Sequence, residues 1–271
     1  MTSTAAPGPL SRAMGAFAGR MGPVVLMYHS VEQGAGRPDW PWAVSLEEFR
    51  NQISYLVSEG WTFLRLDGLN PDAPAQAKQV VITFDDAYAD TLQAAEILAG
   101  AGLSASWFVV SSAMGGYTTW KDDPALQRET LRPDALRDLA ADGMEIGGHS
   151  RSHKRLAEIG AAECADEITL CKKEIENALG KEITSFAYPY GNYSAAVAQE
   201  VERGDFHRAC TTENGPAFFD ADPFLIRRLA VTAECTLSEF ARKLFLLNDH
   251  PGLRGFVRSA RRTFKGPRAA A

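Results

Sequence analysis

The chain lacks long apolar runs, paired cysteines and an excess of positive charge, and each absence excludes a class of protein. No stretch of about 18 apolar residues occurs, so no transmembrane helix is expected. The four cysteines form no CxxC pair, which disfavours a zinc finger or a thioredoxin-like redox protein. The formal net charge is -6 and the sequence pI is about 5.5, which argues against nucleic acid as the main partner.

Targeting signals and disulfides are not expected either. Arg12 and Arg20 interrupt the apolar residues among the first 22 positions, so these contain no run long enough for a signal peptide, and a cytoplasmic location is expected. Cys164 and Cys171 lie on one face of a predicted helix, where buried thiols are more common than a disulfide. Without a repeat or a Pro/Ser-rich linker, we predict a flexible segment over 1–22, one domain over 23–250 and a basic tail over 251–271.

Short apolar runs alternate with longer amphipathic segments along the predicted domain. PVVLMYH (23–29) and QVVITF (79–84) indicate buried strands, and SLEEFRNQISYLVSEG (45–60) indicates a helix capped by Ser45. Such alternation is typical of an α/β fold in which helices pack outside a parallel sheet. About seven strand–helix units predict closure into a distorted (β/α)7-type barrel, with active groups at the carboxyl ends of the strands.

Titratable side chains cluster at these predicted strand ends. One strand ends at His29, another at Asp85 and Asp86, and a third runs into HSRSH, which contains His149 and His153. Two adjacent carboxylates after a buried strand repel each other and are costly to bury unless something neutralises them. One aspartate with two imidazoles forms a three-ligand set that leaves coordination positions open, as in catalytic rather than structural metal sites.

The same residues indicate hydrolysis of an amide or an ester. Because neighbouring side chains diverge along an extended chain, one aspartate should bind the ion and the other should accept a proton from water. His29 is a candidate to protonate the leaving group. The backbone N–H of Tyr190, in the turn YPYG, is a candidate to stabilise an oxyanion. Each motif alone has an ordinary structural explanation, so the prediction depends on their combination in one chain.

The motifs TFDD, HSRSH and FAYPYG together resemble those of the polysaccharide deacetylase family, the NodB-homology domain of carbohydrate esterase family 4. The resemblance extends over roughly 23–235. It implies a distorted barrel that hydrolyses acetyl groups from amino sugars, usually with zinc. It also implies roles for individual residues: Asp85 as the catalytic base, Asp86, His149 and His153 as the metal ligands, and Tyr190 as the oxyanion residue.

The sequence departs from the family pattern in two places. The arginine that usually opens the third motif and orients the base is absent, and Arg228 in LIRRLAV is the candidate to replace it, with Arg227 as second choice. The late Leu-x-His motif that usually supplies the catalytic acid is also absent. The early LMYHSV resembles a branch of the family with circularly permuted motifs, which includes poly-N-acetylglucosamine deacetylases, and this implies His29 as the acid.

The sequence restricts the identity of the metal and of the partners less than it restricts the site residues. Two imidazoles and a carboxylate suit Zn²⁺, although cobalt, nickel, manganese and iron(II) accept similar ligands. The expected partner is an acetylated amino sugar, in a polymer, an oligomer or a carrier-linked form, and not nucleic acid. The basic tail is a candidate for weak membrane-surface contact, although a solvated terminus is commoner. The loop aromatics that could line a sugar-binding groove are Trp40, Trp42, Trp120 and Tyr193.

Other functions would use or retain parts of this constellation. An O-acetyl esterase or a deformylase needs the same residues, so the sequence does not separate them from a deacetylase. A metal-free amidohydrolase on the same barrel is disfavoured because both histidines and Asp86 are retained. The intact residues also disfavour a glycan-binding member without activity. The α/β alternation disfavours an iron oxygenase with a two-histidine, one-carboxylate site.

Overall fold

The chain forms a curled parallel sheet covered by helices, in a computed structural model that describes residues 22–34, 36–73, 76–118, 120 and 127–249. The predicted basic tail and all but the last residue of the predicted N-terminal segment lie outside the described residues. The strands are β1 (Val24–Tyr28), β2 (Ser30–Glu32), β3 (Ala43–Ser45), β4 (Thr62–Phe63), β5 (Gln79–Phe84), β6 (Ser106–Val109), β7 (Glu145–Gly148), β8 (Ser185–Ala187), β9 (Arg208–Cys210) and β10 (Leu229–Ala230).

The main sheet has the order β10-β1-β5-β6-β7-β8-β9, with β4 beside β5, and its pairs are parallel. Its two ends approach each other through the residues that precede β10. Ile226 bridges Cys210, and its carbonyl accepts a hydrogen bond from the Thr211 N–H at 2.8 Å. Leu229 then pairs with Leu26 of β1. The sheet is thus a half-barrel, which confirms the predicted α/β barrel-type fold and brings the carboxyl ends of the strands to one rim.

Six α-helices connect and cover the strands in the described part of the chain. They are α1 (Leu46–Ser58), α2 (Leu92–Gly100), α3 (Pro133–Ala141), α4 (Ala161–Leu179), α5 (Ala195–Arg203) and α6 (Leu237–Leu246). The hydroxyl of Ser45 accepts a hydrogen bond from the Glu48 N–H, so the predicted cap of α1 is confirmed. Among the described residues, no helix has both the length and the apolarity needed to cross a membrane.

The core has two layers because successive strand residues point to opposite faces of the sheet. The inner layer is enclosed by the curl, and the outer layer packs between the sheet and the helices. Inner-layer residues include Val25, Val81, Phe108, Ala187, Cys210 and Ile226. All four cysteines are buried and free, including Cys164 and Cys171, for which buried thiols were expected, and burial raises the pKa of Cys171 to about 12.

Two features of the fold differ from the prediction. The short parallel pair β2–β3 forms a second sheet that the apolar pattern did not indicate. The seven strand–helix units are incomplete, because no α-helix occurs among the described residues between β4 and β5 or between β9 and β10. Three-residue strands are too short to produce a readable alternation, and irregular loops can also carry a parallel crossover.

Candidate active site

The two carboxylates stand where β5 ends, and the backbone turns between them. The N–H of Asp85 still follows the ladder and donates to the Tyr28 carbonyl at 2.9 Å. Asp86 and Ala87 then have φ values of 68° and 49°, in the left-handed region that non-glycine residues rarely occupy. The chain is therefore not extended here, contrary to our expectation. The side chains diverge because the chain turns.

Arg228 holds Asp85 through a buried bidentate ion pair. Its Nη1 and Nη2 atoms donate to the two carboxylate oxygens of Asp85 at 2.6 and 2.7 Å. Its Nε donates to the Thr211 carbonyl at 2.9 Å, and Nη1 also donates to Thr83 Oγ1 at 3.1 Å. Burial alone would raise the pKa of Asp85, but the charge and hydrogen bonds of Arg228, with nearby histidines, hold it below its usual range.

Arg227, the second candidate for this position, faces away from the aspartate pair. Its guanidinium donates to the Asp220 carboxylate at 2.8 and 3.1 Å and lies 3.1 Å from a Glu213 carboxylate oxygen. It also lies over the ring of Phe219 at 4.3 Å. Of the two neighbouring arginines, Arg228 is thus the one that contacts Asp85.

Asp86 faces two imidazoles. Its Oδ1 atom is 3.5 Å from His149 Nε2 and 3.2 Å from His153 Nε2, and one ligand atom from each of the three residues lies within 4.8 Å of the others. All three side chains are buried. Burial alone would raise the pKa of Asp86, but the two histidines and His29 hold it well below its usual range.

The donor set fits a divalent metal ion. The Nδ1 atom of His149 is 2.7 Å from the Ala187 carbonyl, which makes Nδ1 the donor and leaves the Nε2 lone pair directed at Asp86. Burial lowers the pKa of His149 to about 4, so the ring is neutral, as a ligand must be. Asp86 Oδ1 is buried without a hydrogen-bond partner in the described residues. The separations of 3.5 and 3.2 Å compare with about 3.3 Å for tetrahedral ligands about 2.05 Å from zinc.

The HSRSH segment is a loop rather than the start of a helix. Ser150 and His153 both have φ values of 59°, and the first helical turn after them is the 3₁₀ segment Leu156–Glu158. The HSRSH segment is therefore irregular in its backbone. It bends the chain so that the two histidine rings meet edge to face, 4.9 Å apart.

His29 follows β1 and lies on the rim that carries the aspartates. Its ring contacts Trp42, with centroids 4.8 Å apart and planes inclined by 45°. Its Nδ1 atom is buried without a hydrogen-bond partner in the described residues. Burial lowers the pKa of His29, and the charges of Asp85 and Asp86 oppose that shift.

Tyr190 lies in the 3₁₀ turn Pro189–Gly191 with a φ of 58°. Its ring packs edge to face on His153 at 4.4 Å, and the guanidinium of Arg155 covers it at 4.3 Å. The turn requires glycine next: Gly191 has a φ of 62°, and a Cβ there would lie 2.0 Å from the side-chain oxygen of Thr212. The predicted site residues from five separate segments are thus gathered on one rim.

The four candidate aromatics divide into two groups. Trp42 is 39% exposed against His29, and Trp120 stacks on His153 with ring centroids 4.5 Å apart. Trp40 instead packs on Tyr88 and the Arg128 guanidinium, and Tyr193 stacks on Tyr188. Trp42 and Trp120 therefore border the candidate site, one on each side of it.

Sequence reasoning missed Tyr88, a buried residue two positions after Asp86. Burial raises the pKa of Tyr88, and the negative charge of the nearby Asp86 carboxylate raises it further. The ring also packs on Trp40. No local pattern indicates this contact, because it depends on the left-handed turn at Asp86 and Ala87.

Comparison with known proteins identifies relatives of this chain. Residues 72–208 match the family model described as polysaccharide deacetylase. The matched range includes both aspartates, the two histidines that face Asp86, and Tyr190, whereas His29 and Arg228 lie outside it. YxkH of Bacillus subtilis (strain 168), provisionally named a polysaccharide deacetylase, is 26% identical over 221 residues, which cover 80% of this chain and 74% of YxkH.

Two solved structures share the fold. IcaB from Ammonifex degensii has a TM-score of 0.68 at 22% identity, over 83% of this chain and 97% of the IcaB chain. The Streptococcus pyogenes deacetylase PplD, solved in complex with acetate, has a TM-score of 0.68 at 21% identity, over 82% of this chain and 97% of its own. At these identities the two structures support the half-barrel fold.

Proposed function

Because this chain belongs to the polysaccharide deacetylase family, whose members act on acetylated sugars, we propose that it is a metal-dependent hydrolase of N-acetylated sugars. The observation that carries this proposal is the buried Asp86–His149–His153 group on the same rim as the Asp85–Arg228 pair. The first group offers ligands for a metal, and the second offers an ionised carboxylate. Metal-assisted amide hydrolysis combines a Lewis acid with a proton acceptor.

Asp86, His149 and His153 would hold the ion, and zinc is the ion we propose. One carboxylate oxygen and two imidazole nitrogens, with further positions open, form a common ligand set of catalytic zinc. When bound, a divalent ion supplies Lewis acidity and lowers the pKa of water at the site. Cobalt, nickel, manganese and iron(II) accept similar ligands, so ion identity has to be measured on the purified protein.

Asp85 acts as the base in this proposal. The two hydrogen bonds from Arg228 keep its carboxylate ionised and fix its orientation. Each carboxylate oxygen has a second lone pair, so one of them can still take a proton from the water that attacks the carbonyl carbon. The same ion pair lowers the basicity of Asp85. Arg228 therefore keeps the Asp85 carboxylate ionised and correctly oriented, and it lowers the affinity of that carboxylate for a proton.

His29 acts as the acid. As the C–N bond breaks, its imidazolium would donate a proton to the departing nitrogen, which gives acetate and a free amino group. Burial lowers the pKa of His29, and the carboxylates of Asp85 and Asp86 oppose that shift and favour the protonated ring. The backbone N–H of Tyr190 would stabilise the developing oxyanion.

The proposed substrate is an acetylated amino sugar at the mouth bordered by Trp42 and Trp120. Aromatic faces are common platforms for sugar rings, which present apolar C–H groups on one side. Tyr190 is 44% exposed on the same rim and adds a third aromatic ring to the mouth. This mouth could accept a polymer, an oligomer or a carrier-linked sugar. The experiment below therefore begins with an oligomer.

The decisive experiment measures metal content and acetate release on the same samples of wild type, Asp86→Ala and the control Asp138→Ala. Asp138 is an exposed carboxylate on α3. We expect about one metal per chain in wild type and in the control, with acetate released from an acetylated amino-sugar oligomer. Asp86→Ala should lose both the metal and acetate release.

Other outcomes would redirect the assignment. Metal uptake without acetate release from amino-sugar substrates would favour O-acetyl ester or formamide hydrolysis, to be checked with those substrates. Acetate release without metal, and independent of Asp86, would contradict the proposed mechanism and favour a metal-free amidohydrolase. A protein that takes up no metal and hydrolyses none of these substrates would overturn the proposal.

A further inference from the structure

The two candidate histidine ligands are oriented in different ways. The ring of His149 is fixed by its own hydrogen bond, from Nδ1 to the Ala187 carbonyl at 2.7 Å. The Nδ1 atom of His153 is buried and has no partner in the described residues. Metal-binding histidines usually donate their second N–H to a carboxylate, a carbonyl or water. Among the described residues, the orientation of His153 is set by ring packing on Trp120 and Tyr190 and by its backbone.

That backbone is in an unfavourable conformation. Ser150 and His153 have φ values of 59°, which costs roughly 1–2 kcal/mol for each non-glycine residue. Such a conformation persists only where surrounding contacts hold it. Two local contacts are the His153 N–H bond to Ser150 Oγ at 2.9 Å and the Ser112 N–H bond to the Arg151 carbonyl at 2.9 Å.

The strongest additional contacts come from one glutamate on α4. Glu167 is 5% exposed. Its Oε2 accepts a hydrogen bond from the Ser152 N–H at 2.7 Å, and its Oε1 accepts one from the Ser152 hydroxyl. The backbone carbonyl of Glu167 also accepts the Arg151 N–H at 2.9 Å. Hydrogen bonds to an ionised carboxylate are about twice as strong as neutral ones.

We propose that Glu167 is a positioning residue for the metal ion, and this inference rests on the proposed function. By holding Ser152 with both carboxylate oxygens, Glu167 fixes the backbone from which His153 projects. His153 Nε2 then faces Asp86 Oδ1 at 3.2 Å. The Glu167 carboxylate thus supports the backbone beside His153. In most metal sites the supporting group instead holds the histidine ring itself.

A neighbouring glutamate makes a lesser contribution to the same loop. Glu174 follows Glu167 by two helical turns, and its carboxylate accepts bonds from Arg151 Nε at 2.8 Å and Ser111 Oγ at 2.6 Å. Arg151 is half exposed, and this pair acts on a side chain that does not bind the ion. Of the two glutamates, Glu167 is therefore the one whose replacement should lower metal affinity more.

Zinc affinity of the metal-free protein tests the proposal, measured by competition with a chelator of known affinity. Glu167→Gln keeps the side-chain volume but removes the charge and one acceptor. We expect it to weaken zinc binding about 10–100-fold. Glu163→Gln is the matched control, because Glu163 lies one turn earlier on α4 and its carboxylate is 2.6 Å from the exposed Lys154 ammonium. Its affinity should equal that of wild type.

A purely structural role for Glu167 predicts a different pattern. Glu167→Gln would then lower the melting temperature of the metal-free protein while the folded fraction bound zinc normally, and that result would overturn the proposal. A double-mutant cycle gives a second readout. In a His153→Ala background, Glu167→Gln should weaken zinc binding no further, and an equal loss in both backgrounds would contradict the positioning role.

Ser152→Ala covers the case in which Glu167→Gln does not fold. It removes one of the two bonds and should weaken zinc binding to a smaller degree, so wild-type affinity in Ser152→Ala would overturn the proposal. Failure of this inference can be told apart from failure of the proposed function. A wild-type protein that takes up no zinc refutes the metal-dependent function. A zinc-binding wild type with an equally zinc-binding Glu167→Gln refutes only the role of Glu167.

Discussion

Replacement of Arg228 by methionine tests the ion pair on which the proposed base depends. Arg228 is fully buried and donates to both oxygens of Asp85 at 2.6 and 2.7 Å. Methionine fills a similar volume but donates no hydrogen bond. Asp85 would remain buried without its opposite charge, and the Thr211 carbonyl would lose its bond from Nε.

The expected loss of stability is large. Removal of one partner from a buried ion pair costs about 3–5 kcal/mol, because the remaining charge is uncompensated. A domain of ordinary stability unfolds with about 5–15 kcal/mol, so Arg228→Met should lower the midpoint of urea unfolding strongly. Turnover should fall as well, since nothing would then orient the Asp85 carboxylate.

A double variant separates the ion pair from simple loss of packing. Asp85→Leu combined with Arg228→Met leaves no unpaired charge, so it should recover most of the lost stability while remaining inactive. Arg227→Met is the control for turnover, because Arg227 contacts Asp220 and Glu213 instead of Asp85. A loss below about 1 kcal/mol in Arg228→Met, or a double variant less stable than Arg228→Met, would refute this reasoning.

Three further predictions concern other parts of the molecule. His29→Ala should cut turnover by about 10²–10⁴-fold with unchanged metal content, and wild-type turnover would remove His29 from the mechanism. Gly191→Ala should destabilise the protein by roughly 1–3 kcal/mol, because its Cβ would meet Thr212; thermal unfolding measures this, and Thr212→Ala should restore part of it. Burial raises the pKa of Glu145, and the charge of Asp67 adds to the shift. The stability advantage of the wild-type carboxyl is therefore complete below the unfolded pKa of about 4.3 and is lost as pH rises through the folded value. Urea unfolding from pH 4.5 to 7.5 should thus increasingly favour Glu145→Gln, and a difference independent of pH would contradict this.

Several features were predictable because they are local in the sequence. The buried strand before Asp85 is a continuous apolar run, and Ser45 precedes a periodic helix in the position of a cap. The HSRSH spacing places two histidines four positions apart, close enough in the chain for both to bind one ion. The carboxyl ends of parallel strands share one rim, so the convergence of these motifs follows from the strand–helix alternation.

Contacts between distant segments could not be predicted from the sequence in the same way. Glu167 meets the backbone of Ser152 across 15 positions, from a helix whose other glutamates are exposed or half-buried. Tyr88 reaches Asp86 because the chain turns left-handed at Asp86 and Ala87. A glutamate on an amphipathic helix or a tyrosine after a strand has no sequence signature that distinguishes these roles from ordinary surface or core positions.

The choice between Arg227 and Arg228 shows most clearly which features the sequence determines and which depend on tertiary structure. The sequence alone determined that two arginines occupy the last strand region and that one of them could approach the carboxylate. Successive side chains of an extended segment point to opposite faces, so the sequence left both directions possible. Tertiary structure decided between them: Ile226 bridges Cys210 with its side chain in the inner layer, and Arg228, two positions later, points to the same interior. A register set by pairing with β9 and β1 is a property of the assembled sheet, and no single segment contains it.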